Sequence, residues 1–520
     1  MSIATLGSTP ALAGGGHGGG GGHGGGGGHG NGCSNRTNDS ARKLVECVTI
    51  QGVRRHQKAL QLIADHNDGT RASATEGYED SVSYVSWVLR AAGYQVTIDP
   101  FEFFAFTPEG PSALEQTAPA PTTYVEDTDF GLLDQTEPGD VTAPVTPVDV
   151  QLGIGNTSTS GCEPEDFATF PAGNIALLQR GVCTFEDKIE NAAAAGAVGA
   201  ILFNQGNTAD EERQGIPAVT FGNGNTSGIP ALGTTYALGA ELAETPGLEM
   251  RVFANASRVL TESENVIAET RRGDDANTVM VGAHLDGVLE GPGINDNGSG
   301  TAAILETAIQ MRKAHPRNTV RFAFWGAEES GLVGSTDYVA TRTEEELAEI
   351  ALYLNFDMLG SPNYANFVYD GDGSDFGLPG PDGSADIEAL FGDFYESRGE
   401  AYEGTEIDFR SDYGAFFDAG IPFGGLFSGA EDAKTPEQAA AYGGTAGAPF
   451  DPCYHAECDT YDNVSLHALA VNADSVANAT ITYAQADVLP GPAPTARSAQ
   501  AAAAPSSTTN PPTTGHHATA

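Results

Sequence analysis

Residues 279–300 read VMVGAHLDGVLEGPGINDNGSG, and after a helix-like run residues 319–330 read TVRFAFWGAEES. Two apolar, β-rich runs, 278–283 and 319–325, each end abruptly in residues that bind metals or move protons. The first ends in His284 and Asp286, with Asp296 twelve residues beyond His284. The second ends in the adjacent pair Glu328 and Glu329. In an open parallel α/β sheet, ligand sites form outside the carboxyl ends of the strands. Imidazole and carboxylate groups gathered at that edge suit zinc. Two adjacent acids at one strand end are poorly suited to a shared role, so one is expected to bind metal and the other to handle protons.

The 520 residues suffice for two or three domains, and a hydrophobic share of 40% allows a sizeable core. Against 70 acidic residues stand 24 basic ones, a net charge of −46. Such a field repels nucleic acid and anionic membranes, which argues against both as partners and reads as a solubility device. The sequence has no run of about 18 apolar residues, so it specifies no membrane-spanning helix. Residues 11–13 (ALA) resemble the small-residue end of a signal peptide, without its basic leader or full apolar stretch. The expectation is the stump of an export signal behind a start codon assigned too far downstream. Six cysteines, Cys33, Cys47, Cys162, Cys183, Cys453 and Cys458, form three sequence-local couples. That suits disulfides in a secreted, extracellular protein, while spacing alone leaves their connectivity open.

Along the chain, residues 14–30 are almost pure glycine, with His17, His23 and His29 at a six-residue period. A low-complexity, disordered spacer is expected there in preference to a zinc-gathering arm. Helical spacing at 44–64 and 75–93 precedes a strand-like alternation at 95–104, whose register slips at Asp99–Pro100 and predicts a bulge or a break. Residues 107–149, rich in Pro, Thr and acids, read as a junction or surface excursion. Residues 150–258 read as many short strands with one Ala-rich helix at 185–196. Strand character resumes with ENVIAETRR from Glu264, so the middle module splits one α/β domain into residues 38–106 and 259–487. The Pro/Ala/Thr-rich tail, 488–520, is expected to be disordered, its His516–His517 pair incidental.

A third apolar run, 350–356, ends in Asp357, and a later CYHAECDT carries Tyr454 and His455. Five N/O donors, His284, Asp296, Glu329, Asp357 and His455, can hold two metals if one carboxylate bridges them. Any of these residues alone reads as a surface charge or a satisfied core histidine. Together, HLD, GINDNGSG, FWGAEESGLVGS, LNFDMLG, RSDYGAF and CYHAECDT stand in one order. In that order the chain resembles the secreted co-catalytic di-zinc aminopeptidases, of the bacterial leucyl-aminopeptidase and yeast aminopeptidase Y type. Residues 161–204 resemble the protease-associated domain, which implies a structural or gating role there, with Cys162–Cys183 as its staple.

The resemblance implies a mixed, mostly parallel α/β sheet flanked by helices, interrupted by a small β-rich insert. It implies two Zn²⁺ per chain, with His284 and Asp357 on the first, Glu329 and His455 on the second, and Asp296 bridging. Glu328 matches the general base, Asp286 a carboxylate orienting the His284 imidazole, and Tyr454 a phenol for the developing oxyanion. Arg410 and Ser411–Asp412 fall where the family lines its substrate pocket, with Arg410 near the bound amino terminus. The implied substrate is the N-terminus of a peptide bearing an apolar, leucine-like first residue. A disulfide joining Cys453 and Cys458 would hold Tyr454 and His455 in place. In the NGSG of residues 297–300, Ser299 is a plausible N-cap for the helix that follows. DGDGSD at 370–375 suggests a calcium loop but lacks its closing Glu, so a polar turn is preferred. The family sometimes binds calcium elsewhere, at ligands left unmapped on this chain. Two other functions compete: another exopeptidase or a glutaminyl cyclase on the same scaffold, the cyclase using one zinc, and a non-catalytic binding ectodomain. The intact donor set and Glu328 disfavour the ectodomain.

Overall fold

The computed structural model describes residues 30–33, 35–217 and 219–492. The readings at 11–13, His17, His23, His29 and the tail histidines fall outside the described residues. The helical spacing after residue 44 yields α1 (Ile50–His66), which starts later than expected because Thr49 caps it, accepting from the Gly52 N–H. Residues Ala41–Val45 form a separate short helix. α2 (Glu76–Ala92) opens on Thr75, which accepts from the Tyr78 N–H, and ends at Gly93 in the left-handed region (φ 97°).

β1 (Gln95–Pro108) pairs antiparallel with β2 (Ala256–Glu269) over its whole length, forming a two-stranded arm. The bulge or break expected at Asp99–Pro100 is absent, since Pro100 faces Glu264 in unbroken register. β1 is the edge of its sheet, so the missing proline N–H removes no ladder bond on the open side.

Beyond the arm come β3 (Asp274–His284), α3 (Gly298–Met311), β4 (Asn318–Trp325), β5 (Ile350–Phe356) and β6 (Phe367–Tyr369). α4 (Ser384–Arg398), β7 (Glu403–Thr405), β8 (Phe423–Phe427) and α5 (Leu466–Gln485) complete the domain. The sheet order is β1-β2-β4-β3-β5-β8-β6-β7, and its centre, β4-β3-β5-β8, is parallel. A parallel sheet is covered on both faces, which is why these strands are nearly continuous apolar runs. On β3, Val279, Val281 and Ala283 pack into the core shared with α1, α2, α3 and α5. Met280 faces the opposite core with Trp325, Tyr353 and Phe416. Gly300 lets the first turn of α3 press on the end of β5, since a Cβ there would lie 2.3 Å from the Phe356 carbonyl oxygen.

The arm leads into a second eight-stranded sheet with its own core, which includes Leu114, Ile175, Leu177, Ile201, Phe203 and Met250. Part of the stretch read as a junction belongs to this sheet: Ala113–Ala118, Thr122–Thr123, Phe130–Leu132 and Gly139–Pro147 are strands. Prolines and acids stand inside these strands, Asp140, Pro144 and Pro147 among them, which disguised the alternation. The expected helix, Phe185–Ala194, is joined by a second, Tyr236–Glu244. Disulfides join Cys33 to Cys47, Cys162 to Cys183 and Cys453 to Cys458.

Candidate metal centre

Because β3, β4 and β5 run parallel side by side, their carboxyl ends deliver His284, the Glu328–Glu329 pair and Asp357 to one edge of the sheet. Asp296 arrives from the loop before α3, and His455 from the loop closed by Cys453 and Cys458. His284 Nε2 lies 3.2 Å from Asp296 Oδ1 and 3.2 Å from Asp357 Oδ1. His455 Nε2 lies 3.3 Å from Asp296 Oδ2 and 3.0 Å from Glu329 Oε2. Two triads, His284–Asp296–Asp357 and Asp296–Glu329–His455, therefore meet at the carboxylate of Asp296. Glu328 Oε2 stands 4.0 Å from His284 Nε2.

This donor set fits divalent cations of the zinc type, since imidazole and carboxylate are its usual ligands. Glu329 Oε1 and His284 Nδ1 are buried without a hydrogen-bond partner, which is costly for polar atoms in a protein interior. The crowding of buried acids and imidazoles also shifts their proton affinities. Burial pushes the Glu328 carboxyl well above its usual range and Glu329 up to about 7. Burial alone would lower His284, but the Glu328 and Asp357 carboxylates outweigh it and hold the imidazole well above its usual range. His455 is held at about 10 against burial by Glu329 and Asp296. Asp296 is depressed despite burial, because both imidazoles donate to it.

A supporting layer fixes these groups. Trp325 Nε1 donates to Tyr353 Oη (2.9 Å), Tyr353 to Asn355 Oδ1 (2.8 Å), Asn355 Nδ2 to Ser411 Oγ (2.8 Å) and Ser411 to Asp357 Oδ2 (2.8 Å). Asp459 accepts from the Asn295 and Asp296 N–H groups. Asp286 Oδ1 stands 3.7 Å from His284 Nδ1, too far for a hydrogen bond. Its carboxylate instead accepts from the Glu328 and Glu329 N–H groups (3.3 and 3.4 Å), tying the ends of β3 and β4 together. α3 is capped by Asn297, which accepts from the Gly300 N–H, and not by Ser299. Ser299 lies inside the first turn, donating to the Asn295 carbonyl and accepting from the Leu359 N–H.

The site opens into a cavity of about 320 Å³ whose walls include Met358, Phe367, Tyr369, Phe376, Phe427 and Arg410. Arg410 donates to Tyr454 Oη (3.2 Å) and pairs with Glu431 (2.9 Å), while Tyr454 stacks on His455 with ring centroids 3.8 Å apart. Asp412 is not on the cavity wall. It is 1% exposed, within the field of His284, and burial pushes its carboxyl up to about 7. In a chain that places Arg410 and Ser411 in the cavity wall, the next residue points the other way. At the DGDGSD turn, Asp370, Asp372 and Glu388 approach one another, but their oxygens serve the turn. Asp370 accepts from the Ser374, Asp375 and Phe376 N–H groups, Asp372 from Ser374 and Glu388 from Asp372. No calcium is assigned there.

His455 adopts φ 53°, a left-handed conformation that costs a non-glycine residue roughly 1–3 kcal/mol, inside the Cys453–Cys458 loop. Replacing both cysteines by serine is expected to lower unfolding free energy by about 2 kcal/mol, the chain-entropy value for so short a loop. Denaturant melts measure this, and peptide mapping without reduction checks the three pairings. A free thiol at either position in the folded protein would contradict the role given to this loop.

Residues 265–480 match the model of peptidase family M28, and residues 141–242 that of the PA domain. An aminopeptidase from Pseudomonas aeruginosa is 58% identical over 434 residues, covering 84% of this chain and 81% of the relative. A probable lipoprotein aminopeptidase, LpqL, from Mycobacterium tuberculosis is 44% identical over 448 residues, covering 84% and 85%. Among solved structures, an aminopeptidase from Aneurinibacillus sp. strain AM-1 superposes with TM-score 0.67 at 26% identity, covering 86% of this chain and 97% of the other. BSAP, a zinc aminopeptidase from Bacillus subtilis, shares the fold with TM-score 0.54 at 24% identity, covering 83% and 94%. The chain accordingly belongs to peptidase family M28, with a PA domain carried on the β1–β2 arm.

Proposed function

We propose that this chain is a secreted zinc-dependent aminopeptidase that removes N-terminal residues, leucine-like ones foremost, from peptides. In this reading His284 and Asp357 hold one zinc, Glu329 and His455 a second, and Asp296 bridges them. The observation that carries it is the carboxylate of Asp296, which offers one oxygen to each imidazole. Bound zinc supplies a Lewis acid that acidifies water to a pKa of about 7 and polarises a carbonyl. Glu328, buried beside the triads with no imidazole closer than 4.0 Å, is the proton carrier. Tyr454, held by Arg410, presents its phenol to the oxyanion. Phe367, Phe376, Phe427 and Met358 offer apolar walls to the first side chain. Three disulfides support an oxidising, extracellular compartment. No helix of the described residues is long and apolar enough to cross a membrane. Residues 38–106 and 259–487 form the peptidase domain in this reading, and residues 107–258 the insert.

Metal analysis tests the assignment. About two zinc ions per chain are expected, with activity lost on chelation and restored by zinc. One zinc per chain would favour single-metal chemistry on the same scaffold, and none would overturn the reading.

A further inference from the structure

Arg71 lies in the loop between α1 and α2, more than 200 residues before the candidate metal ligands, and its side chain is completely buried. Its guanidinium uses all three nitrogens on main-chain carbonyls of the loop that follows β3. Nε donates to Pro292 O (2.9 Å), Nη2 to Gly293 O (2.5 Å) and Nη1 to Leu285 O. Those carbonyls lie beside the two aspartates of the segment, since Leu285 adjoins Asp286 and Gly293 lies three residues before Asp296. A Cβ on Gly293 would stand 2.5 Å from Asp296 O and 3.1 Å from Arg71 Nη2, so guanidinium, Gly293 and the Asp296 backbone form one close-packed joint. Two neighbours extend the clamp. Thr70 Oγ1 donates to Val288 O (2.7 Å), and Ser73 Oγ accepts from the Ala327 N–H (2.7 Å), beside Glu328.

A buried cation is costly unless its surroundings compensate it. Here the compensation comes from the site, because Asp286, Asp459, Asp296 and Glu329 are the acids whose field it feels. A planar fork with separate donors suits three carbonyls pointing from different parts of a loop, where a point-like ammonium does not.

We propose that Arg71 is a positioning residue: through the carbonyls of Leu285, Pro292 and Gly293 it holds the Asp286–Asp296 loop so that Asp296 meets both imidazoles. The inference rests on the metal-centre reading above, and the test separates the two. Full-length protein is stripped of metal and titrated with zinc against a chromophoric chelator. If the unaltered chain takes up no zinc, the metal reading fails and Arg71 loses its proposed role with it. If it does bind zinc, Arg71→Lys, which keeps the charge and loses the fork, is expected to bind about 10–100-fold more weakly. Its kcat should fall while KM for a leucyl-anilide stays near the unaltered value. Tyr94→Phe, which removes a buried hydrogen bond to Ala308 O (2.7 Å) outside the clamp, should keep unaltered zinc affinity, whatever its melting temperature. Unaltered zinc affinity in Arg71→Lys, or an equal loss in Tyr94→Phe, would overturn the proposal. Should Arg71→Lys not be recoverable, Gly293→Ala strains the same joint from the carbonyl side. The same loss of zinc affinity is then expected, and full affinity would overturn the proposal.

Discussion

An N-acetylated leucyl-anilide is expected to be turned over about 10⁴–10⁵-fold more slowly than the free leucyl-anilide, the discrimination available to a site built around a polar partner. A metal pair is indifferent to chain position, because a carbonyl and a water look alike anywhere along a peptide. Position has to be read by groups that recognise a free ammonium. Glu328 and Asp357 both line the cavity beside the triads. Charge-assisted hydrogen bonds from an ammonium to such carboxylates are roughly twice as strong as neutral ones. Acetylation removes the charge, leaves those oxygens partly unpaired and adds bulk where the cavity meets the sheet edge. Steady-state rates on the two anilides at matched concentration measure the ratio. Comparable rates would sink the aminopeptidase reading even with zinc in place.

Glu328→Gln is the second large effect, an expected fall in kcat of about 10²–10⁴-fold with zinc content unchanged. Glu328 and Glu329 are adjacent in sequence but differ in surroundings. Glu329 Oε2 lies 3.0 Å from His455 Nε2, whereas Glu328, although it also clusters with His284 and Glu329, comes no closer than 4.0 Å to His284 Nε2. Burial holds the Glu328 carboxyl well above its usual range, as suits a group that takes a proton from water and later delivers it to a leaving amine. The amide is nearly the same shape and cannot carry that proton, so the variant isolates proton transfer from metal binding. Metal analysis beside kcat distinguishes the outcomes. Near-normal turnover would remove Glu328 from the mechanism, and loss of zinc would make it a ligand.

Much of this protein was legible in the chain because its central strands are buried on both faces. Continuous apolar runs that stop in His284, in Glu328–Glu329 and in Asp357 need no tertiary information to be read as strand ends carrying chemistry. The cysteine couples were legible too, since each closes a short local loop. Other features depend on partners far away in sequence. Pro100 broke the local alternation, yet the strand runs on unbroken, because only its edge position in the sheet decides whether a missing N–H matters. Ser299 and Asn297 are both competent helix caps in sequence, and the close approach of α3 to the end of β5 chose Asn297, whose oxygen also receives the Met358 N–H. Asp412 follows two cavity-wall residues and turns inward. Arg71 had no sequence signal at all: a lone arginine between two helices reads as a solvated charge. Local spacing marked the strand ends that gather acids and imidazoles, and the resemblance supplied the roles expected of them. Only the fold decided which side chains support them, because a buried charge or a shared carboxylate is defined by neighbours that the chain brings together from more than 150 residues apart.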